Sequence, residues 1–467
     1  MGRQTADKVL AQKAGTFYNR QMLKDKSPTQ SELEFVCIDE LVPKDHLLRK
    51  IEKKIDFSFI HDLVKDLYCE DNGRPALDPT LLFKLLLLGY LFGVRSERQL
   101  IRDVQVNVAY RWFLGLNLTD KVPDASTLSQ NRRRRFNDSE VYQQIFDEIV
   151  LQAIQKKLVS GRVLYTDSTH LKANANKRKH QKVKAKESSK GYLAELDKAV
   201  EEDRLKHGKK PLRKRSDPPK EREIKQSTTD PDSGYMVRDG KPKGFFYLDH
   251  RTVDGKFNLI TDVHVTAGNV HDSIPYLDRL DRQQKRFGFE VEAVGLDAGY
   301  FTAPICHGLE QRNLFGVISY RRPNHRKGTF YKREYHYDAT NDEYICPAGE
   351  RLIYKTTSRE GYRHYQSDPS VCQHCEHLNK CTQNAKFQKT VTRHVWQDSK
   401  DRVNQNRLTD IGKKLYKRRK ETVERSFADA KELHGYRYAR YRGLNKVKGQ
   451  CLMAATAQNI KKIAMAA

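Results

Sequence analysis

Apolar residues recur with a helical period in the first third of the chain. Residues 47–68 (LLRKIEKKIDFSFIHDLVKDLY) place most of their apolar side chains on one stripe of a helix. The more uniformly apolar run at 79–94 predicts a buried helix, and Ser96 is a suitable N-terminal cap for the helix after it. We therefore predict an all-α region over residues 31–150, preceded by a polar, flexible arm over residues 1–30.

Short apolar runs replace this pattern after residue 160. Strands are predicted for the segments RVLYT, GFFYLDHRTVD, FNLITDVHVTAG, FEVEAVGL and NLFGVIS. Helical periodicity returns in LYKRRKETVERSFADAKEL and in NKVKGQCLMAATAQNIKKIA. This alternation predicts an α/β core built from residues 160–330 and 400–467.

Two segments interrupt the predicted core. Residues 177–230 are basic and contain one predicted helix, GYLAELDKAVEEDRLKHG, so we interpret them as a surface insertion that either touches a polyanion or is simply solvated. Residues 332–396 are rich in Cys, His and Tyr and contain many turn residues, which indicates a second, small insertion.

The charge balance narrows the possible partners. The chain has 87 Lys and Arg residues against 60 Asp and Glu residues, a formal net charge of +27. Such a surplus favours a polyanionic partner, usually nucleic acid, with a membrane surface as the rival. The most apolar run contains Lys84 and is shorter than the roughly 20 residues of a membrane span. Because the first residues also lack the apolar core of a signal peptide, we expect a cytoplasmic protein that binds no membrane.

Four consecutive arginines end one predicted helix of the all-α region, in the segment PDASTLSQNRRRRF. Short helices that end in a basic segment are typical of helix-turn-helix modules, so we predict that these side chains contact DNA phosphates. The alternative is a plain helical bundle with a solvated basic run. The residues are Arg132, Arg133, Arg134 and Arg135.

Three acidic residues suggest metal-dependent chemistry on phosphodiesters. Asp167 and Asp297 each follow a predicted strand, and Glu424 lies on a late predicted helix. Carboxylate oxygens are the preferred ligands of Mg²⁺ or Mn²⁺, and two such ions roughly 3.5–4 Å apart activate phosphoryl-transfer reactions. Taken alone the pattern is weak, because strands that end in Asp are common.

Several motifs, taken in order, are far more specific than the acids alone. The segments YTDSTHLKANANK, STTDPDSGYM, GLDAGYF and VERSFADAKELHGYRYARYRG resemble the bacterial insertion-sequence DDE transposases with a Y-R-E-K signature. The resemblance implies a ribonuclease-H-like α/β catalytic core after an N-terminal all-α DNA-binding domain. It also implies that Asp167, Asp297 and Glu424 bind two Mg²⁺ (or Mn²⁺) ions.

The same resemblance implies a reaction. Hydrolysis at the ends of a mobile element exposes a 3′-hydroxyl, which then attacks target DNA. Since two ends must meet, a homodimer on DNA is implied, acting at the bacterial nucleoid. Two other functions stay open: a nuclease of the same fold that cuts without joining, and a non-catalytic DNA-binding regulator derived from a transposase.

The signature residues map onto one late helical segment, at Tyr416, Arg419, Glu424 and Lys431. By the resemblance, the Tyr, Arg and Lys of this set hold the DNA backbone. Arg419 lies five residues before Glu424, whereas the family usually has four, and one residue turns a helix by about 100°. Arg418 or Lys420 could therefore contact DNA in its place. Glu421 is an alternative third acid, but no lysine follows it at the required offset.

The second insertion contains a cluster of cysteines. Four thiolates, two of them in a CxxC pair, are typical of a tetrahedral structural Zn²⁺ site, so we predict one such ion. Free thiols are the alternative, and His374 and His377 are alternative ligands. The predicted ligands are Cys346, Cys372, Cys375 and Cys381.

Other polar residues near the motifs favour structural roles. Asp230 and Asp232 lie in a turn sequence, and we interpret them as turn and capping residues rather than metal ligands. His264, His271 and Asp272 could position DNA or a water molecule, but a hydrogen-bonded loop is the favoured interpretation.

Overall fold

The structure is a computed structural model. It describes residues 35–68, 76–136, 139–186, 192–213, 221–237, 240, 242–320 and 326–466. The predicted arm over residues 1–30 lies outside these ranges. The chain divides into a unit ending at Leu41, of which helix α1 (Ile38–Leu41) is described, and a unit starting at Val42. The remaining elements all belong to the second unit.

The N-terminal part of the second unit is helical, as predicted. Local sequence signals define its helix ends: Asp78 accepts a hydrogen bond from the Thr80 N–H where Pro79 begins a helix, and the Ser96 side chain accepts from the Gln99 N–H. A π-helix covers Arg132–Phe136. The α-helices are α2 (Leu47–Lys54), α3 (Phe59–Val64), α4 (Pro79–Leu91), α5 (Glu97–Val106), α6 (Val108–Phe113), α7 (Ala125–Asn131) and α8 (Val141–Gln155).

A mixed sheet forms the centre of the unit. Its described strands are β1 (Val163–Lys172), β2 (His180–Lys186), β3 (Glu221–Ser227), β4 (Gly234–Met236), β5 (Gly244–Asp254), β6 (Ile260–Ala267), β7 (Ala293–Leu296) and β8 (Phe315–Ile318). Their order is β2-β3-β4-β5-β1-β7-β8, and β6 pairs with β5. β1 is antiparallel to β5 and parallel to β7, and β7 is parallel to β8.

Strands β2 and β3 were not expected inside the predicted basic insertion. They pair with each other in antiparallel register and extend the central sheet at its edge. Their sequences, HQKVKAK and EREIKQS, carry few apolar residues, and Lys182 pairs with Glu223 at 3.1 Å across the two strands. Charged edge strands lack the apolar alternation that signals a strand, which is why the sequence pattern did not predict them.

Helices cover the central sheet, and the last of them links its core to the N-terminal helices. Helix α17 (Leu444–Met465) packs against α2, α4, α8 and strand β6. One apolar cluster therefore runs from Leu48 and Leu87 through Cys451 to Tyr165 of the sheet. Another cluster joins β7 and β8 to α10 (Tyr276–Phe287), α11 (Ala303–Gln311) and α14 (Gln397–Leu408). Helices α15 (Asp410–Arg418) and α16 (Arg425–Leu433) precede α17.

Residues 336–394 form a second, antiparallel sheet around an aromatic core of Tyr335, Tyr344 and Tyr365. Helix α9 (Leu193–Lys206) of the 177–230 segment docks on it, where the Asp203 carboxylate accepts bonds from Arg363 Nε at 2.7 Å and Thr357 Oγ1 at 2.6 Å. The two segments predicted as separate insertions thus contact each other. The strands are β9 (His336–Asp338), β10 (Glu343–Ile345), β11 (Arg351–Thr357), β12 (Tyr362–Ser367) and β13 (Thr390–His394), with short helices α12 (Pro369–Cys372) and α13 (Leu378–Cys381).

Membrane-spanning helices were not expected. Among the helices of the described ranges, none combines the length and the apolar character that crossing a membrane requires.

A buried arginine of strand β5, paired with an aspartate of the same strand, contacts helix α16. Arg251 is fully buried, and its Nε donates to Asp249 Oδ2 at 2.7 Å. The same guanidinium contacts Ser426 Oγ at 3.3 Å and lies 5.0 Å from the ring centres of Phe427 and Tyr436. Because Arg251 stands opposite Asp167 in the β1–β5 register, its contacts with Ser426 and Phe427 place α16 beside the strand that carries the first predicted acid.

We expect Arg251→Met to lower the free energy of unfolding by about 3–5 kcal/mol, because it leaves the buried Asp249 carboxylate with the Tyr436 hydroxyl as a donor but without an opposite charge. The measurement is urea denaturation followed by circular dichroism. Arg282→Met, at an exposed arginine of α10, is the matched control and should change stability by less than about 0.5 kcal/mol. Adding Asp249→Leu to Arg251→Met should restore most of the loss. A single variant as stable as the wild type would contradict the assigned role.

Candidate active site

Strand lengths place the first two acids side by side. The parallel pairing of β1 and β7 ends at Thr166 and Leu296, so Asp167 and Asp297 are the next residues on neighbouring strands. The sequence pattern placed Asp167 at the end of its strand. In the structure β1 continues past Asp167 to Lys172, alongside the longer β5. The relevant boundary is the end of β7, which a pattern within β1 alone cannot reveal.

A single guanidinium joins all three predicted acids. Arg419 NH2 donates to Asp167 Oδ2, and Arg419 NH1 donates to Glu424 Oε1 at 2.8 Å. The same NH1 lies 4.0 Å from Asp297 Oδ1. Arg419 is 4% exposed, whereas the side chains of Asp297 and Glu424 are about half exposed. The three carboxylates therefore form one cluster that is open to solvent and has a buried cation at its base.

A π-helix explains why Arg419 reaches this cluster. Residues Lys420–Glu424 form the π-helix, and the Glu424 N–H donates to the Arg419 carbonyl at 3.4 Å, a bond that spans five residues. The wider turn absorbs the one extra residue between Arg419 and Glu424, so both side chains lie on the same side. The sequence-based expectation that the extra residue would rotate Arg419 away is wrong. Lys420 is exposed and Tyr416 is half-buried, and neither contributes to the contacts among the acids given above.

Burial dominates the electrostatics of the cluster. It raises the pKa of Asp167 to about 6, while the positive charge of Arg419 and the Ser168 N–H lower that pKa. The negative charges of Asp297 and Asp272 raise it further. Burial also opposes the charge of Arg419, but the carboxylates of Asp167 and Asp297 outweigh it, and the pKa of the guanidinium is raised.

Asp272 is a fourth acid near the cluster, and its proximity was not predicted. Its charge acts on both Asp167 and the buried Tyr300, and its Oδ2 is 3.9 Å from the position of a Cβ on Gly299, two residues after Asp297. The neighbouring His271 Nδ1 hydrogen-bonds Ser273 Oγ at 2.8 Å, the kind of loop contact that was expected. The only sequence signal for Asp272 was its place in the segment DVHVTAGNVHDS.

The three acids are of the right chemical type for divalent ions, although their present arrangement is not that of a metal site. Within the described ranges, no group of three or more His, Cys, Asp or Glu side chains is arranged to hold a metal ion. At the acids, the guanidinium of Arg419 lies between the carboxylates and supplies the positive charge there. The converging oxygens of Asp167, Asp297 and Glu424 are nevertheless the type of ligand that Mg²⁺ and Mn²⁺ take.

The four cysteines of the second sheet line one small pocket together with His377, whereas His374 does not line it. All four are free thiols. Cys346 Sγ accepts from the Ala348 N–H at 3.3 Å, and Cys372 Sγ lies 3.1 Å from Ser367 Oγ. Burial raises the pKa of Cys372, and the nearby thiols of the other three add to this shift.

The four consecutive arginines do not form one solvated surface. Arg132 forms an ion pair with Glu97 and stacks 4.4 Å from the ring centre of Tyr441. Arg135 hydrogen-bonds Asn131 and stacks 4.2 Å from the ring centre of Tyr68. The two middle residues, Arg133 and Arg134, are exposed. Only this pair therefore presents its charge to a partner without giving up contacts within the chain.

Asp230 and Asp232 have the capping role that the sequence favoured. Asp230 Oδ1 accepts from the Gly443 N–H at 3.0 Å, and Asp232 Oδ2 accepts from the Leu444 N–H at 2.9 Å. These are the cap and the first residue of helix α17. The two carboxylates thus satisfy amides at the N-terminus of that helix.

Two family models of transposase domains match parts of this chain. The model of the Transposase domain (DUF772) matches residues 36–134, and the model of the Transposase DDE domain matches residues 345–464. The second match includes Glu424, whereas Asp167 and Asp297 lie outside both. A search of curated proteins finds no match.

Among solved structures, the piggyBac transposase synaptic complex with hairpin DNA is similar at 12% identity and a TM-score of 0.33. The alignment covers 89% of this chain and 74% of that one, and an overlap of this quality does not establish a shared fold. The two domain matches carry the assignment: one lies on the N-terminal helices, and the other on the segment that contains Arg419 and Glu424. The chain is an insertion-sequence DNA transposase of the DDE type.

Proposed function

We propose that this transposase cuts DNA at the ends of its element and joins the exposed 3′-hydroxyl to target DNA. Asp167, Asp297 and Glu424 are the proposed catalytic acids. The observation that carries the proposal is their convergence on one guanidinium, since three acids from distant parts of the chain meet in a cluster open to solvent. The π-helix supports a Y-R-E-K assignment of Tyr416, Arg419, Glu424 and Lys431.

A ribonuclease-H-like core is part of the proposal. Support comes from the central strands β6-β5-β1-β7-β8, in which the first acid lies on the middle strand and the second follows its parallel neighbour. In this scheme residues 160–330 and 400–467 form the core, 31–150 form the DNA-binding region, and 177–230 and 332–396 are insertions. The shared apolar cluster argues that the helices from Leu47 onward and the core act as one body rather than as independent modules.

The acidic and basic residues of the site have different proposed roles. Oxygens of Asp167, Asp297 and Glu424 would hold two Mg²⁺ or Mn²⁺ ions, which supply activation of the attacking oxygen and stabilisation of the leaving oxygen. Arg418 and Lys420 flank Arg419 in the sequence, are exposed, and carry the positive charge that a DNA backbone requires. Lys431 is seven residues beyond Glu424 and is proposed to contact the same backbone.

Two rival functions differ in what the site would do. A nuclease of the same fold would release cut ends without joining them, so a strand-transfer assay with pre-cut ends separates it from a transposase. A non-catalytic regulator would not need three converging carboxylates, and their presence favours an enzyme. Because two element ends must meet, we propose a homodimer on DNA, acting at the bacterial nucleoid.

A structural Zn²⁺ site in the second sheet is a further part of the proposal. It is supported by the common pocket of Cys346, Cys372, Cys375 and Cys381, and by the Ala348 N–H that donates to the Cys346 sulfur. Four thiolates would leave no position open for substrate, so the ion would stabilise the sheet and take no part in the reaction.

Loss of any one proposed acid should abolish the chemistry. We expect Asp167→Ala, Asp297→Ala and Glu424→Gln each to reduce nicking of a labelled element end about 10³-fold or more, because several kcal/mol of charge stabilisation is lost. Binding of the end should persist, since Lys and Arg contacts to phosphates supply most of that affinity. The assay is Mg²⁺-dependent nicking, with Glu421→Gln as the matched control that keeps activity. Robust nicking by either Asp variant would overturn the mechanism.

The two exposed arginines of the π-helix Arg132–Phe136 should contribute to DNA affinity. We expect Arg133→Gln/Arg134→Gln to weaken binding of the element end and to reduce the slope of log affinity against log salt by about 1.8, or about 0.9 for each lost phosphate contact. Fluorescence anisotropy at several salt concentrations measures both. Arg282→Gln/Lys285→Gln removes the same charge from an exposed face of α10 and is the control. An equal loss in both double variants would show that only net charge matters.

The purified protein should contain about one tightly held Zn²⁺ per chain. Elemental analysis of protein prepared without chelator measures it, and Cys372→Ser/Cys375→Ser should lose the ion. Cys306→Ser changes a buried cysteine outside the pocket and should keep it. A wild-type preparation free of zinc would exclude the site.

A further inference from the structure

The cation at the base of the acid cluster is the least expected feature of the site. Arg419 is buried, donates to both Asp167 and Glu424, and lies 4.0 Å from Asp297. Its guanidinium thus takes up the same oxygens that a pair of divalent ions would need. A bound ion and this arginine compete for one set of ligands.

We propose that Arg419 is a positioning residue that holds the three acids together in the metal-free enzyme and is displaced from them when divalent ions bind. The inference rests on the proposed function of the three acids and adds a step to it. Before the ions arrive, the arginine neutralises carboxylates that would otherwise repel one another. Afterwards, the ions supply that charge and the guanidinium is released.

The local structure is suited to such a displacement. Arg419 sits at the junction of α15 and the π-helix, where the Glu424 N–H makes a long bond of 3.4 Å to its carbonyl. Its Nε has no hydrogen-bond partner within the described ranges, so only the two terminal nitrogens anchor the side chain. Asp297 and Glu424 are half exposed, which gives ions a path to the oxygens from solvent.

The released guanidinium could then bind a DNA phosphate. The neighbouring Arg418 and Lys420 are exposed, so this segment offers further positive charge to a DNA backbone. A guanidinium binds a phosphate through two parallel hydrogen bonds as readily as it binds a carboxylate. The ions would thus free a phosphate ligand at the moment at which the site becomes competent.

The test compares Mn²⁺ binding by the full chain without DNA, using isothermal titration calorimetry. Arg419→Gln should bind Mn²⁺ about tenfold more tightly than the wild type, because the competing cation is gone. Arg419→Lys keeps one charge but cannot bridge two carboxylates, and it should fall between them. Lys417→Gln removes an exposed charge two residues away and should change the affinity less than about twofold.

Thermal unfolding supplies a second measurement that does not depend on activity. In EDTA, Arg419→Gln should have a lower Tm than the wild type, since three carboxylates face one another without a cation. Saturating Mn²⁺ should raise its Tm more than that of the wild type. If the variant folds only with Mn²⁺, that result supports the proposal, whereas aggregation even with Mn²⁺ would overturn it.

The outcomes separate this inference from the proposed function. Unchanged or weaker Mn²⁺ binding by Arg419→Gln would overturn the displacement, even if the acid variants lose nicking as expected. Tighter binding by Arg419→Gln, together with active Asp167→Ala enzyme, would retain the competition and refute the catalytic assignment. Failure of wild type and Arg419→Gln alike to bind Mn²⁺ would refute both.

Discussion

Repulsion between like charges is the constraint on which this site depends. Two unit charges about 4 Å apart repel by about 4 kcal/mol at the effective dielectric constant of a protein surface. Asp167, Asp297 and Glu424 come from a strand, a strand end and a helix, and nothing in those elements alone would hold them together. Arg419 resolves the conflict by binding two of them and approaching the third. In the folded chain a cation of the protein itself therefore offsets the repulsion among the three carboxylates.

Two buried arginines, Arg251 and Arg419, hold the three acids and helix α16 in place, and their roles differ. Arg251 is fully buried, pairs with Asp249 of its own strand β5, and contacts Ser426 and Phe427 of helix α16. Arg419 is buried but adjoins an open cluster of acids. Arg251 helps to set the distance between the sheet and helix α16. Arg419 offsets the negative charge of the three acids.

Much of this arrangement could be predicted from the sequence, because it depends on local patterns. The N-terminal helices, the main strands and the buried face of Val423, Phe427 and Ala430 follow from apolar periodicity. The π-helix at Lys420–Glu424 was not predicted. Its trace in the sequence is the extra residue between Arg419 and Glu424, which under the assumption of a regular α-helix indicates a rotation of Arg419 instead. The partners of Arg132 and Arg135 were also hidden, because Glu97, Tyr441 and Tyr68 lie elsewhere in the chain. Four adjacent arginines that look equivalent in the sequence therefore have different environments, which depend on partners far away in the chain.

The position of helix α17 has a consequence for how the molecule is made. The N-terminal helices complete their apolar core only against this helix, which comes from the far end of the chain. Contacts between such distant segments are formed late and slow the folding of a domain. During synthesis the first helices must therefore wait with apolar surface exposed, a state that invites chaperone binding or aggregation. A polypeptide that stops before Leu444 would lack the surface on which α2, α4 and α8 pack, so we expect such a product to be degraded rather than to persist in a folded form.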